Sequence, residues 1–229
     1  LTLTLIYEDE HLVAIDKPPG LLVHRTQLAA GEELAALQLL RDQLGRTVWP
    51  VHRLDRGTSG VLLFALSAEV ASQLGALFEQ GQMDKRYLAL VRGWPVADEG
   101  LIDHPLARDP ELPSAGQTML EAQTRYRVLQ RMTWPLVTDA RFPSTRVALL
   151  QAEPLQGRRH QIRRHLKHIA HPILGDATHG KGPLNRAVAA HLGVQRLWLH
   201  AQRLTLTHPV SGALLRLEAA PDPGCPLTV

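Results

Sequence analysis

The sequence predicts a single α+β domain built on a mainly antiparallel, mixed sheet with flanking helices. Three observations carry this expectation. Short runs that alternate apolar and polar residues recur along the chain, the period-2 pattern of half-buried strands. Segments with helical periodicity are too few to supply a crossover helix for each strand of a parallel sheet. No stretch is rich enough in Pro, Gly or Ser to separate domains, and 229 residues, 45% of them hydrophobic, suffice for one large core.

Taken in order, Leu1–Tyr7 and Leu12–Ile15 read as strands, followed by a weaker helix over Glu32–Leu44 and the apolar strand Val61–Leu66. A helix is expected over Ala68–Gln80, with Ser67 as its N-cap and Val70, Leu74, Leu77 and Phe78 on one face. Strands follow at Tyr87–Val91, Gln123–Leu129, Arg146–Gln151, Leu197–Thr207 and Leu214–Leu217. The stretch Ala107–Gly116, with two prolines, reads as a surface loop. A second clear helix is expected over Arg159–Ala170, with Ile162, Leu166 and Ile169 inward and Arg163, Arg164 and Lys167 around the rest.

A lone cysteine, Cys225, rules out an intrachain disulfide and suits a reducing cytoplasm. Leu1–Glu10 carries no basic leader pattern, and no apolar run approaches the roughly 20 residues that span a bilayer. A soluble, cytoplasmic, untargeted protein is expected, with no membrane partner. The net charge of +3 is unevenly spread: residues 1–115 hold 10 Lys/Arg against 16 Asp/Glu, and residues 116–229 hold 15 against 6. Between Pro154 and Leu217 the only acid is Asp176, facing ten Lys/Arg. A basic half rich in arginine forks fits a polyanion partner, and equally a solvated Arg-rich surface.

Three segments carry the chemistry. His52-Arg53-Leu54-Asp55-Arg56-Gly57-Thr58-Ser59-Gly60 sets a carboxylate between two cations, which favour its ionised form, in a turn whose glycines admit close approach of a ligand. On its own this is also the pattern of a surface Asp–Arg pair at a hairpin. It echoes the aspartic protease loop as well, but that chemistry needs two such carboxylates and the chain has one such loop. Gly157-Arg158-Arg159-His160-Gln161-Ile162-Arg163-Arg164-His165 opens a helix whose N-terminus favours anions and puts four arginines within seven residues. The histidines at 160, 165, 168, 171 and 179 lack the spacing of a metal pair on one helical face, so no metal is expected. Lys85-Arg86-Tyr87-Leu88-Ala89-Leu90-Val91-Arg92-Gly93 places a tyrosine between cations in a strand, either core or a face for a base to stack on.

Together these segments resemble the family of RNA pseudouridine synthases typified by the ribosomal large-subunit enzyme A. The Asp55 segment is similar to its nucleophile motif, Lys85–Gly93 to its tyrosine motif and Gly157–His165 to its arginine motif. His171–Asp176 and Leu199-His200-Ala201 resemble further family elements, so the likeness runs from Tyr7 to about Leu217. It implies the family's catalytic domain, a mainly antiparallel mixed sheet with flanking helices around an RNA-binding cleft. With 51 residues before His52, no S4 RNA-binding module is expected. Two stretches depart from the pattern: Ala107–Gly116 is short, and the residues before Ala122-Gln123-Thr124 differ.

The implied reaction breaks the uridine N1–C1′ bond, turns the uracil and joins C5 to C1′. It exchanges no electrons and no external group, so no cofactor is expected. By the same resemblance Asp55 is the essential carboxylate, Arg53 fills the space of the flipped base, Tyr87 stacks on the uracil and Arg163 pairs with Asp55. Attack at C1′, addition to C6 and removal of the C2′ proton all remain open for Asp55. Arg141–Arg146, Gln161–His165 and Asn185–Leu199 are similar to the branch that modifies uridine 65 of tRNA. A tRNA partner is therefore expected, with ribosomal RNA the alternative, and a monomeric enzyme. A catalytically silent RNA-binding module is the rival from another class, and intact Asp55, Tyr87 and Arg163 argue against it.

Overall fold

The computed structural model describes residues 1–24 and 35–228. Leu12 to Ile15 and Leu62 to Ala65 are entirely buried, so these two runs are apolar on both faces. They form β2 (Leu12–Lys17) and β4 (Ser59–Ala65), paired antiparallel from Leu12↔Ala65 to Lys17↔Gly60. β1 (Thr4–Glu8) pairs with the outer side of β2. The short β3 (Trp49–Pro50) also meets β4. Beyond β4 lies β11 (Leu199–Thr207), which pairs antiparallel with β12 (Leu214–Glu218). α2 (Ala68–Glu79) covers this group with Val70 and Leu74 packed among Leu12, Val61, Leu63, Leu204 and Leu217. Ser67 accepts a hydrogen bond from the Val70 amide at 3.2 Å, the expected cap. α1 (Ala36–Leu44) ends at Gly45, which takes the left-handed conformation of a helix C-cap. Residues 32–34, the expected start of that helix, lie outside the described residues. These elements make one compact unit, residues 1–85 and 201–221.

The second unit comprises residues 86–200 and 222–229. Its strands lie in the order β5 (Asp84–Arg92), β10 (Thr145–Pro154), β9 (Gln123–Trp134), β6 (Glu99–Asp103). β7 (Leu106–Ala107) and β8 (Met119–Leu120) form a separate two-stranded ribbon. α3 (Gln161–His168) and α4 (Gly182–Leu192) bring Ile162, Leu166, Leu184 and Val188 onto Leu88, Leu90, Leu149 and Leu150. Every strand pairing with a defined register among the described residues is antiparallel, and four helices accompany the strands. The molecule is α+β, as its sequence predicts.

The differences from the sequence reading have local causes. β9 continues five residues past Leu129, where a register shift opposite Leu149 and Leu150 breaks the alternation. α4 is unforeseen because it starts at Gly182-Pro183 without a side-chain cap and buries only Leu184 and Val188. α3 is shorter than Arg159–Ala170, since His160 and Ala170 both take positive φ and bound it at each end. It is also buried on more than one face: Gln161, Arg163 and His165 are enclosed along with Ile162 and Leu166. The loop after β7 is exposed as expected, but Gln117 stitches it by donating to the carbonyls of Asp109, Leu112 and Pro113.

Gly60 has φ +105, and a Cβ there would stand 2.2 Å from the Ala201 carbonyl oxygen. Gly45 also has positive φ (+65), but a Cβ at that position would meet nothing within 4 Å. Gly45→Ala should therefore cost about 1 kcal/mol from backbone strain alone, and Gly60→Ala clearly more. Urea unfolding midpoints compare them, and equal losses would contradict the close strand approach.

Candidate active site

Asp55 sits in the loop that leads into β4, between exposed Arg53 and Arg56, with buried Leu54 anchoring the chain beside it. The backbone around Asp55 is held by a lysine with no solvent exposure. Lys17 Nζ donates to the carbonyls of Pro18 (3.0 Å), Leu21 (2.8 Å) and Arg56 (3.1 Å). An ammonium without such acceptors would be costly to bury. The Arg56 carbonyl also accepts from the Gly20 amide at 2.8 Å, and Arg56 Nε returns a bond to the Gly20 carbonyl at 3.0 Å. The Thr58 amide closes the turn on the Asp55 carbonyl at 3.0 Å. All these contacts use backbone atoms at Asp55 and Arg56 or the Arg56 side chain, so they fix the turn without using the Asp55 carboxylate.

Two parts of this motif do something other than the sequence suggests. The Gly57–Gly60 turn reads as room for a ligand, whereas at Gly60 the close neighbour is the backbone of Ala201. His52 is an anchor: its Nε2 accepts from the Leu63 amide at 3.0 Å, and its ring stacks on Phe78 with centroids 4.7 Å apart. Burial, and then the charge of Lys85, push its pKa down to about 3, so it is neutral at physiological pH. Lys85 is itself lowered to about 8 by burial.

The other two expected site residues belong to the second unit. Tyr87 lies opposite Ala152 in the β5–β10 pair, half-buried against the core that includes Ile162 and Leu166. Arg163 is buried, its side chain 9% exposed, and holds fully buried Asp176 in a two-pronged ion pair: Nε to Oδ2 at 2.7 Å and Nη2 to Oδ1 at 2.8 Å. Burial alone would raise the Asp176 carboxyl. The hydrogen bonds and charge of Arg163, with the His179 amide, hold it below the usual carboxylate range. Asp176 Oδ1 also accepts from the amides of Thr178 (2.9 Å) and His179 (2.8 Å). Asn185 of α4 braces the same turn, accepting from the Gly175 amide and donating to the Asp176 carbonyl. His179 is lowered to about 4 by burial and its Nε2 lies 3.1 Å from His160 Nδ1.

The residue before α3, His160, has left-handed backbone and makes no side-chain cap. Each arginine is engaged by the protein: Arg158 with the Glu121 carbonyl, Arg159 with Asp109 and Glu111, Arg163 with Asp176, and Arg164 with the Ala107 carbonyl. Asp176 is the residue that sequence reasoning missed. Its signal was present, because it is the only acid between Pro154 and Leu217. Among the described residues no three His, Cys, Asp or Glu side chains are grouped to hold a metal ion.

Breaking a buried pair strands the remaining charge. Arg163→Leu should cost about 3–5 kcal/mol of unfolding free energy. Arg164→Leu removes one bond to a loop carbonyl and should cost about 1 kcal/mol. Similar denaturation midpoints for the two variants would contradict the geometry of α3.

The sequence profile of the RNA pseudouridylate synthase family matches residues 11–168. The tRNA pseudouridine synthase C of Pasteurella multocida is 46% identical over 97% of this chain and 93% of its own length. The protein of the same name from Vibrio cholerae is 43% identical over 96% of this chain and 91% of its own. Among solved structures, human RNA Pseudouridylate Synthase Domain Containing 1 superposes with a TM-score of 0.75 at 26% identity, covering 98% of this chain and 85% of that one. The chain belongs to the RNA pseudouridylate synthase family.

Proposed function

We propose that this chain isomerises uridine 65 in the T stem of tRNA, with Asp55 as its essential carboxylate. The observation that carries the tRNA substrate is the 46% identity, over nearly the full length of both chains, to a tRNA pseudouridine synthase. The choice of position 65 is supported by the likeness of Arg141–Arg146 and Asn185–Leu199 to the branch acting there. The enzyme works as a cytoplasmic monomer through one catalytic domain. No helix among the described residues is long and apolar enough to cross a membrane.

A uridine in a stem is stacked and paired, so it must leave the helix before its C1′ and C5 can react. Arg53 fills the vacated space, Tyr87 stacks on the uracil and Arg163 keeps the essential carboxylate ionised. The uracil is cut from N1–C1′, turned and rejoined through C5, and the C5 proton is released to solvent. That proton gives the assay.

With tritium at uracil C5, tRNA transcripts carrying U65 should release label with the unaltered protein. Asp55→Ala and Asp55→Asn should lower the rate about a thousandfold or more. The turn at Asp55 is held by backbone contacts, so both variants should fold and bind RNA as before. Arg163→Leu should lose far more turnover than Arg164→Leu at a temperature where both are folded. Full turnover by either Asp55 variant would exclude the carboxylate's role. Label released from ribosomal RNA fragments, with U65 untouched, would overturn the substrate.

A further inference from the structure

β9 and β10 are joined by residues 135–144, which carry one acid, Asp139, and one cation, Arg141. Asp139 grips Arg141 with both carboxylate oxygens, Oδ1 to Nε at 3.0 Å and Oδ2 to Nη2 at 2.6 Å. It also accepts from the Arg141 amide at 3.0 Å, and the Phe142 amide bonds the Asp139 carbonyl. The Arg141 guanidinium lies 5.6 Å from the centre of the Phe142 ring, which is itself 58% exposed. Thr145 braces the base of the tip through the Leu136 carbonyl.

Two further cations face this tip. Arg92, at the end of β5, and Lys181, before α4, are exposed, and among the described residues neither side chain has a hydrogen-bond or ion-pair partner. Arg92 lies opposite Val147 of β10, at the base of the hairpin, and the next residue, Gly93, bonds the Arg146 carbonyl. The hydrogen bonds from Arg141, and then the charges of Arg92 and Lys181, lower the Asp139 carboxyl. The surface thus pairs an excess of two positive charges with an exposed aromatic face. That combination suits phosphates and a base or ribose, since a fork and an ammonium bind phosphate and a ring offers stacking to any base. Among the described residues, the arginines around α3 are each bonded within the protein, whereas the Arg92 and Lys181 side chains are not. Arg92 lies five residues beyond Tyr87 along β5, about 16 Å, or about five base-pair steps of a duplex.

We propose that the hairpin tip, through Arg92, Arg141, Phe142 and Lys181, is an RNA-gripping surface that binds substrate backbone away from the reacting nucleotide. It adds affinity without entering the chemistry. The inference rests on the reading of the chain as an enzyme acting on structured RNA, and its test is separable from the choice of uridine 65.

The experiment measures binding of an unmodified tRNA transcript across a salt titration, with tritium release at saturating enzyme alongside. The Arg92→Glu/Lys181→Glu double variant should raise Kd about tenfold or more near 0.1 M salt and flatten the slope of log K against log salt by about 1.8. Its rate at saturation should stay near that of the unaltered protein. Phe142→Ala should weaken binding severalfold and leave the slope as it was. Both cations are exposed, so alanine at each serves if charge reversal disturbs folding, again with a flatter slope. Unchanged Kd and slope would overturn the surface, as would a lower saturating rate with Kd unchanged. If the unaltered protein releases no label from U65 while binding responds as expected, the surface stands and the choice of uridine falls.

Discussion

The buried ion pair between Arg163 and Asp176 organises the polar interior of the second unit. Two charges taken from water are costly, and geometry must compensate. Here it does: both prongs of the fork meet both carboxylate oxygens, and two backbone amides complete the acid. The turn that carries Asp176 is then fixed from a second side by Asn185, and Gly175 lets the chain pass so near Arg196 that a Cβ would meet its carbonyl oxygen at 1.7 Å. α3, α4 and the turn between them are held in register by one pair of charges and one amide. Lys17 does the corresponding work in the first unit, where its ammonium ties the strand end of β2 to the turn after Asp55.

Both devices reach across the sequence: Lys17 and Gly20 fix the turn at Asp55 and Arg56 through the Arg56 carbonyl. Arg163 is held by a residue 13 positions further on in the sequence. Positive charge is also divided by task. The arginines around α3 hold loops and a buried acid and Arg141 is held by Asp139, while the Arg92 and Lys181 side chains are exposed. The basic character of the C-terminal half is therefore not one undifferentiated surface.

Much of this was legible in the sequence, and the exceptions are instructive. Alternation located β2, β4, β5, β10 and β12 because their apolar residues sit on a defined face or are wholly enclosed. Ser67 announced α2 because a hydroxyl before a helix has one strong local use. α4 left little trace, as its entry is Gly-Pro without a cap. The motif around Asp55 was visible as a family likeness, yet the roles of its neighbours were not. His52 is a neutral anchor on Phe78, and Gly60 admits the backbone of Ala201, facts set by contacts with residues distant in sequence. The same holds for Arg163 and Asp176, since nothing local marks an arginine on a helix as buried.

The most direct test of the proposed activity is pseudouridine mapping of total RNA from cells with and without the gene. One pseudouridine, at position 65 of tRNA, should disappear on deletion and return with the intact gene but not with the Asp55→Asn form. Unchanged tRNA, with a pseudouridine lost from ribosomal RNA instead, would contradict it.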